Sequence, residues 1–379
     1  MGNDYEKGNT ANMIEVLLFG LSTNRGGIET YLKKIWDNID HSKFHFNFID
    51  MTGEGNIPFF YEELKASGCD FYKVTPRNVS VSRNRSDLKR LFASKKFDIF
   101  HFNVNTLSYI LPVKLALKYG CKVVVHSRNA GTSTRFVTNL FHNINKIKLN
   151  RLDVTRIAVS QMAGEWLFGA GGDFSVYHNG IIIDNFKFDE SNRISIRKEL
   201  NCTDKIVIGN VGAFLPAKNH RFMIEVFAEI HKINPNTSLW FVGDGGSRKE
   251  MEALVKEKGL QNNILFLGIR KDMNVIYAGM DLFWFPSLYE GFGNVVLEAE
   301  CEGLPCLLSD CIPQDAMIAD NTFSYSLDNS YKDWALKVLD ASRQQKADRS
   351  ICYKELDDKG YSVEDEIIRI ERLYCSMLK

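Results

Sequence analysis

The chain has 379 residues, 45% hydrophobic and 25% charged, with 47 Lys and Arg balanced by 47 Asp and Glu. That length suits two domains of roughly 150 to 200 residues rather than one core. No apolar run reaches the roughly 18 residues of a membrane span, and the opening MGNDYEKGNTAN lacks a signal peptide's apolar centre, so a cytoplasmic location is expected.

From Ile14, IEVLLFG reads as a buried parallel strand, followed by the loop STNRGG and a helical pattern, IETYLKKIWDNI. Apolar runs at FHFNFID, DIFHFN, CKVVVHS and TRIAVS continue the alternation of strand and helix, which predicts a parallel sheet covered on both faces. After YHNGIIIDNFKFDE the rhythm restarts with KIVIGNVGAF, RFMIEVFAEIHKIN, TSLWFVGDG, RKEMEALVKEKG and NILFLGI, and runs on to LPCLLSD. The expected fold is therefore α/β, with two doubly wound domains over 1–183 and 184–355, a linker near 178–190 and a helical segment at 356–379. Ligands of such sheets bind beyond the carboxyl ends of the strands, so two facing domains form a cleft between them.

The zero net charge is a cancellation, because residues 1–183 hold 23 Lys and Arg against 16 Asp and Glu. Part of the excess lies in RFVTNLFHNINKIKLNRLDVTR, a candidate amphipathic helix carrying Phe136, Leu140, Phe141, Ile144, Ile147 and Leu149 among basic residues. It reads either as a partly buried surface helix or as a face for anionic lipid. No nucleic-acid motif accompanies the charge, so no nucleic-acid partner is expected. The eight cysteines contain no C-x-x-C pair, and CEGLPCLLSDC reads as small buried hydrophobes rather than a metal site.

Four loops after strands carry unusual chemistry. In NRGGIE, Gly26 and Gly27 let the backbone approach a ligand and precede a helix with free N–H groups. His126 ends CKVVV, with Arg128 two residues on, in either a cleft-facing or a structural role. In NVGAFLPAKNHRF, Lys218 adds charge to the positive end of a helix dipole, which suits a phosphate. The fourth is EGFGNVVLE, Glu290 to Glu298, where glycines precede a helix start at Val295. An eight-residue separation spans roughly 12 Å if helical, whereas paired glycosidase carboxylates lie between about 5 and 9.5 Å apart. The two glutamates thus suit the two ends of an elongated ligand, such as a nucleotide sugar.

SLYEGFGNVVLEAECEGLPCLLSD resembles the E-x7-E signature of the retaining GT-B glycosyltransferases of family 4. GGIE, HS, HNGI, the Lys-Asn after the first strand of the second half, VGDG and FPSLYEGFG follow in the same order as in that family. The resemblance implies that Glu290 lies beside the transferred sugar and Glu298 accepts from the ribose hydroxyls. Phe292, Gly293, Asn294 and Val295 would contact sugar and diphosphate, Gly26 and Gly27 would close over the diphosphate, and His126 would lie near sugar and acceptor. It further implies a nucleotide-sugar donor, UDP-sugar preferred, a glycan or lipid-linked acceptor and a role in surface polysaccharide assembly. The last segment, YSVEDEIIRIERLYCSML, would cross back onto the first domain.

One departure stands out. The family's Gly-Arg before the lysine reads Gly212-Ala213 here, so a charge-assisted contact worth roughly 1.5 to 3 kcal/mol is missing. Arg128 and Arg221 are the nearest replacement cations in sequence. No D-x-D occurs, so no cofactor is expected and transfer is expected to be metal-independent. Two alternatives use the same fold, a nucleotide-sugar epimerase and a non-catalytic sugar- or partner-binding protein. The basic first half also implies peripheral contact with an anionic membrane.

Overall fold

A computed structural model describes residues 13–24, 26–131, 136–346 and 348–379. The first sheet contains β1 (Ile14–Phe19), β2 (Phe44–Asp50), β3 (Asp70–Lys73), β4 (Ile99–Val104), β5 (Lys122–Ser127), β6 (Thr155–Ala158) and β7 (Ser175–Val176). The second contains β8 (Ile206–Val211), β9 (Thr237–Val242), β10 (Ile264–Gly268), β11 (Leu282–Phe285), β12 (Cys306–Ser309) and β13 (Thr322–Tyr325). All pairings are parallel, in the orders β3-β2-β1-β4-β5-β6-β7 and β10-β9-β8-β11-β12-β13. The order reverses between β1 and β4 and between β8 and β11, the points where loops diverge and leave a crevice.

Predominantly apolar runs form the central strands because both sheet faces are covered: β4 is buried at every position, as are β9, β11 and β12. The short edge strands β3, β7 and β13 carry no such run, and sequence patterning passes over them.

The final helix, Val363–Met377, lies on the first domain. Its Val363, Ile367, Ile370 and Tyr374 share one core with Val16, Leu18, Tyr31, Leu32, Ile35 and Trp36. The chain crosses itself there. Ile181 pairs with Ser362 as an isolated parallel bridge, and a Cβ on Gly180 would stand 2.1 Å from the Ser362 carbonyl oxygen. Glu366 ties the crossing down by pairing with Lys34 and accepting from the Gly180 amide.

Helix Phe136–Leu149 is seated on its polar side. His142 stacks on Trp166 at 4.4 Å and accepts from the Leu107 amide, and Asn145 donates to the Leu107 carbonyl. Of the apolar residues singled out from sequence, Leu149 alone is buried; Phe136 is 79% exposed and Leu140, Phe141, Ile144 and Ile147 are all exposed, together with Val137. Arg135 lies outside the described residues. Cys301 and Cys306 are buried as small core residues, while Cys311 is partly exposed.

Candidate active site

The loops after β8 and β11 flank the reversal in the second sheet, and backbone chemistry joins them. Asn219, in the left-handed region at φ 60°, donates through its side-chain amide to the Pro286 carbonyl. The Leu288 amide donates to the Ala217 carbonyl. This pairing brings Lys218 Nζ to 2.5 Å from Glu290 Oε1, with the ammonium 4.6 Å from the centre of the Phe285 ring. Both side chains keep partial access to solvent, 19% for the lysine and 16% for the glutamate. Sequence reasoning treats these residues as serving different parts of a ligand; in the folded chain they touch.

Beyond Glu290 the chain narrows to glycine because the first domain presses against it. A Cβ on Gly291 would stand 2.1 Å from the Arg128 carbonyl oxygen, and Ser160 Oγ donates to the Gly291 carbonyl at 2.6 Å. Gly293 has φ 96°, a conformation that strains other residues, and it starts helix Asn294–Cys301. No side chain caps that helix start, so its first N–H groups are available to an anion. One turn on, Glu298 Oε2 accepts from the Tyr277 hydroxyl at 2.8 Å, and Tyr277 is fully buried. Phe292 is expected to contact sugar or diphosphate through its backbone or its side chain. It is buried against the rings of His178 and Tyr361, which leaves only its backbone for a ligand.

On the opposite wall, a line of hydrogen bonds leads from the last helix to the second domain. Tyr374 Oη lies 2.6 Å from His101 Nδ1, His101 Nε2 lies 3.1 Å from His126 Nδ1, and His126 Nε2 lies 3.1 Å from an Arg128 guanidinium nitrogen. Arginine can only donate, so His126 Nε2 accepts; its Nδ1–H then donates to His101 Nε2, and His101 Nδ1–H to Tyr374 Oη. Burial and the Arg128 charge hold His126 well below the usual histidine range and push His101 down to about 3, which keeps both neutral. From Arg128 the line continues to Asn179 Oδ1 at 3.0 Å and from Asn179 Nδ2 to Asn294 Oδ1 at 2.7 Å. Both ring nitrogens of His126 are thus engaged in hydrogen bonds within the protein.

Gly26 caps helix Gly27–Asn38 from an extended conformation, and a Cβ on Gly27 would meet open space. The neighbouring Glu29 accepts from the amide and hydroxyl of Ser22, which holds the loop. Arg25 lies outside the described residues. At the ends of β1 and β4 a cavity of about 260 Å³ is lined by Gly20, Ile28, Asn103, Thr106, Ser108 and Tyr109. The buried Asn103 amide lines it with no hydrogen-bond partner among the described residues.

Arg221 does not join the site. It pairs with Glu250 on the next helix, and both side chains are more than half exposed. Sequence reasoning also passes over Asn179, Ser160, Tyr31, His101 and Tyr374, because each is placed by a contact between segments distant in the chain. The HNGI segment was the one legible signal, and Asn179 is its second residue.

Residues 192–355 match the model of the family glycosyl transferases group 1. The chain is 27% identical over 368 residues to the putative glycosyltransferase EpsF of Bacillus subtilis (strain 168), covering 93% of this chain and 94% of that protein. It is 22% identical over 390 residues to the UDP-Gal:alpha-D-GlcNAc-diphosphoundecaprenol alpha-1,3-galactosyltransferase of Escherichia coli, covering 97% and 98%. Among solved structures, Anabaena Alr3699/HepE in complex with UDP superposes with a TM-score of 0.78 at 19% identity, over 96% of this chain and 100% of that one. Two facing parallel-sheet domains, the matched span of the second and the full-length relatives lead to one assignment: the chain is a glycosyltransferase of the GT-B fold, and its residues 192–355 match the glycosyl transferases group 1 domain.

Proposed function

We propose that the chain is a retaining transferase that moves a hexosyl or N-acetylhexosaminyl group from a UDP-sugar to a hydroxyl of a glycan or lipid-linked oligosaccharide in surface polysaccharide synthesis. The observation that carries this reading is the 2.5 Å contact of Lys218 with Glu290, four residues before an uncapped helix start. One positive and one negative group side by side suit the breaking of a glycosyl diphosphate bond into a cationic sugar and an anionic phosphate. The UDP named with the Anabaena structure and the lipid-linked substrate named for the Escherichia coli relative support the choice of donor and acceptor class.

Each residue has a role in that step. As the bond between the anomeric carbon and the diphosphate oxygen lengthens, Lys218 and the backbone N–H groups of Asn294 and Val295 stabilise the leaving phosphate. Glu290 faces the positive charge that develops on the sugar. The departing phosphate oxygen takes the proton of the acceptor hydroxyl, which attacks from the same face and so retains the anomeric configuration. Glu298, oriented by Tyr277, accepts from the ribose hydroxyls. The backbone of Phe292 and Gly293 borders the sugar, and Gly26 and Gly27 close from the first domain. His126 acts as a neutral positioning residue through Arg128, and no metal or other cofactor takes part. The acceptor hydroxyl enters from the cavity at Asn103, whose lining of amide, hydroxyl and aromatic groups suits an uncharged sugar ring.

The acceptor is presented at an anionic membrane surface by helix Phe136–Leu149. No helix among the described residues is long and apolar enough to cross a membrane. This helix instead turns its apolar side outward beside Lys146 and Lys148, and residues 99–152 contain no Asp or Glu at all. Such a face gains from burying apolar side chains at the lipid interface and by about 1 kcal/mol for each nearby cation.

Incubating UDP-, GDP- and ADP-sugars with and without a lipid-diphosphate saccharide tests the reading. Transfer with retention of configuration is expected. Donor isomerisation without acceptor would favour an epimerase, and binding with no turnover would favour a non-catalytic protein.

A further inference from the structure

We infer that Arg128, on the first domain's wall of the cleft, is the second cation of the donor diphosphate site and replaces the arginine that position 213 lacks. This rests on the nucleotide-sugar reading above. Ala213 leaves one side of the loop without charge. The candidate cations differ in how their charge is balanced: Lys34 and Lys218, and Arg221 away from the site, each have a carboxylate within 4 Å, from Glu366, Glu290 and Glu250. Arg128 has none among the described residues. It donates to His126 Nε2 and Asn179 Oδ1, and its guanidinium carbon lies 3.7 Å from the centre of the Tyr31 ring. Glu366 acts on it electrostatically but is already bound to Lys34 and the Gly180 amide.

Neutral acceptors and a ring face fix a guanidinium without cancelling its charge. Holding an uncompensated cation in a partly buried cleft costs free energy, and a bound anion would offset that cost. The orientation is strongly determined, because the fixed tautomers of His101 and His126 present a lone pair to Arg128 from one side while Asn179 holds it from another. Two of its five N–H groups are engaged in this way, which leaves three for a ligand. Asn179 also bonds Asn294, so Arg128 stands one side chain from the helix start where a phosphate would sit. A planar fork suits two phosphate oxygens, whereas Lys218 supplies a point charge. Since Arg128 belongs to the first domain, the diphosphate would be held from both domains at once, and donor binding would draw them together.

The test compares Arg128→Met, Arg128→Lys and the pair Arg128→Met with Ala213→Arg against the parent chain. Calorimetry with UDP, GDP, ADP, inorganic pyrophosphate and uridine is the readout. Expected is a roughly 10- to 100-fold loss of nucleoside diphosphate affinity in Arg128→Met, a smaller loss in Arg128→Lys, uridine affinity unchanged, and recovery of at least tenfold on adding Ala213→Arg. Equal diphosphate affinity in Arg128→Met and the parent overturns the inference while leaving the parent reading intact. Parallel loss of UDP and uridine affinity overturns it too, as a purely structural role for Arg128. A parent chain that binds none of the diphosphates overturns both. If Arg128→Met does not fold, Arg128→Lys decides: diphosphate binding as tight as the parent's, with the bidentate fork gone, overturns the inference.

Discussion

Lys218 Nζ and Glu290 Oε1 are 2.5 Å apart, although 72 residues separate them in the chain. The contact joins the loops on either side of the strand-order reversal in the second sheet, so one ion pair spans the crevice where the donor is proposed to bind. Replacing Lys218 with Ala should weaken UDP binding roughly 10- to 100-fold. Glu290→Gln should reduce turnover by at least about 100-fold, the scale of losing one electrostatic stabiliser, while UDP affinity holds or rises because Lys218 loses its carboxylate competitor. Calorimetry and steady-state kinetics on both variants check this, and weaker UDP binding in Glu290→Gln contradicts it.

At Gly291 the two domains pack closely against each other. Gly291→Ala would put a methyl group 2.1 Å from the Arg128 carbonyl oxygen, a clash relieved only by moving the loops apart. The variant should fold with a small loss of thermal stability, show a larger radius of gyration by solution scattering, and have a raised KM for donor. An unchanged scattering profile with unchanged KM would show that the contact is not needed.

Stability should respond to pH in two directions. Burial pushes the Glu300 carboxyl up to about 8, against the Thr322 hydroxyl and the Ile318 and Ala319 amides that favour the ion. Its folded-state pKa is raised, so its contribution is fully present below about 4.5 and is lost as pH rises through 8. Glu300→Gln should flatten this decline by up to about 1.4 kcal/mol per pH unit. On the acid side, burial pushes His101 to about 3 and His142 and His220 to about 4. Their neutral forms contribute fully above about 6.5 and lose that contribution as pH falls toward those values. Denaturant midpoints at pH 5, 6.5 and 8 measure both limbs; an identical slope above pH 6.5 in Glu300→Gln and parent would refute the carboxyl assignment.

Vesicle binding should depend on the outward side of helix Phe136–Leu149. Phe141→Asp together with Ile144→Asp should reduce co-sedimentation with vesicles containing anionic lipid by tenfold or more, since both side chains are exposed and their replacement leaves the core intact. Binding should also weaken with salt over the range where Debye screening shortens from about 30 to 8 Å. Retained binding in the double variant, or equal binding to neutral vesicles, would remove the membrane from the proposal.

Activity should persist in EDTA. Lys218 and the free amides at the start of helix Asn294–Cys301 are proposed to meet the charge of the leaving phosphate in place of a metal ion. Loss of transfer in EDTA that magnesium or manganese restores would overturn the metal-independent mechanism.

The two-sheet fold was legible because strands buried on both faces are predominantly apolar, and IFHFNV, TSLWFV and LFWF show this in the residue order itself. The edge strands Asp70–Lys73, Ser175–Val176 and Thr322–Tyr325 were not, since a short strand at the margin needs no apolar run. Helix Phe136–Leu149 was legible as amphipathic, but periodicity says only that two faces differ. Which one packs inward depends on Trp166 and Leu107, which present a ring and backbone groups to His142 and Asn145.

The same division runs through the site. Glycines at 291 and 293, Glu290, Glu298 and Lys218 are visible as types in a fixed spacing, because loops after strands and helix starts are local geometry. Sequence by itself determined the alternation that makes two doubly wound domains and the loops that carry the polar groups. Tertiary structure decided that Lys218 is neutralised by Glu290, that Arg221 faces solvent, and that Arg128 keeps an unbalanced charge between Tyr31, His126 and Asn179. The physical reason is distance: local periodicity sets where a side chain points from its own element, whereas the partner of a charge is set by which remote segments packing brings within a few ångströms.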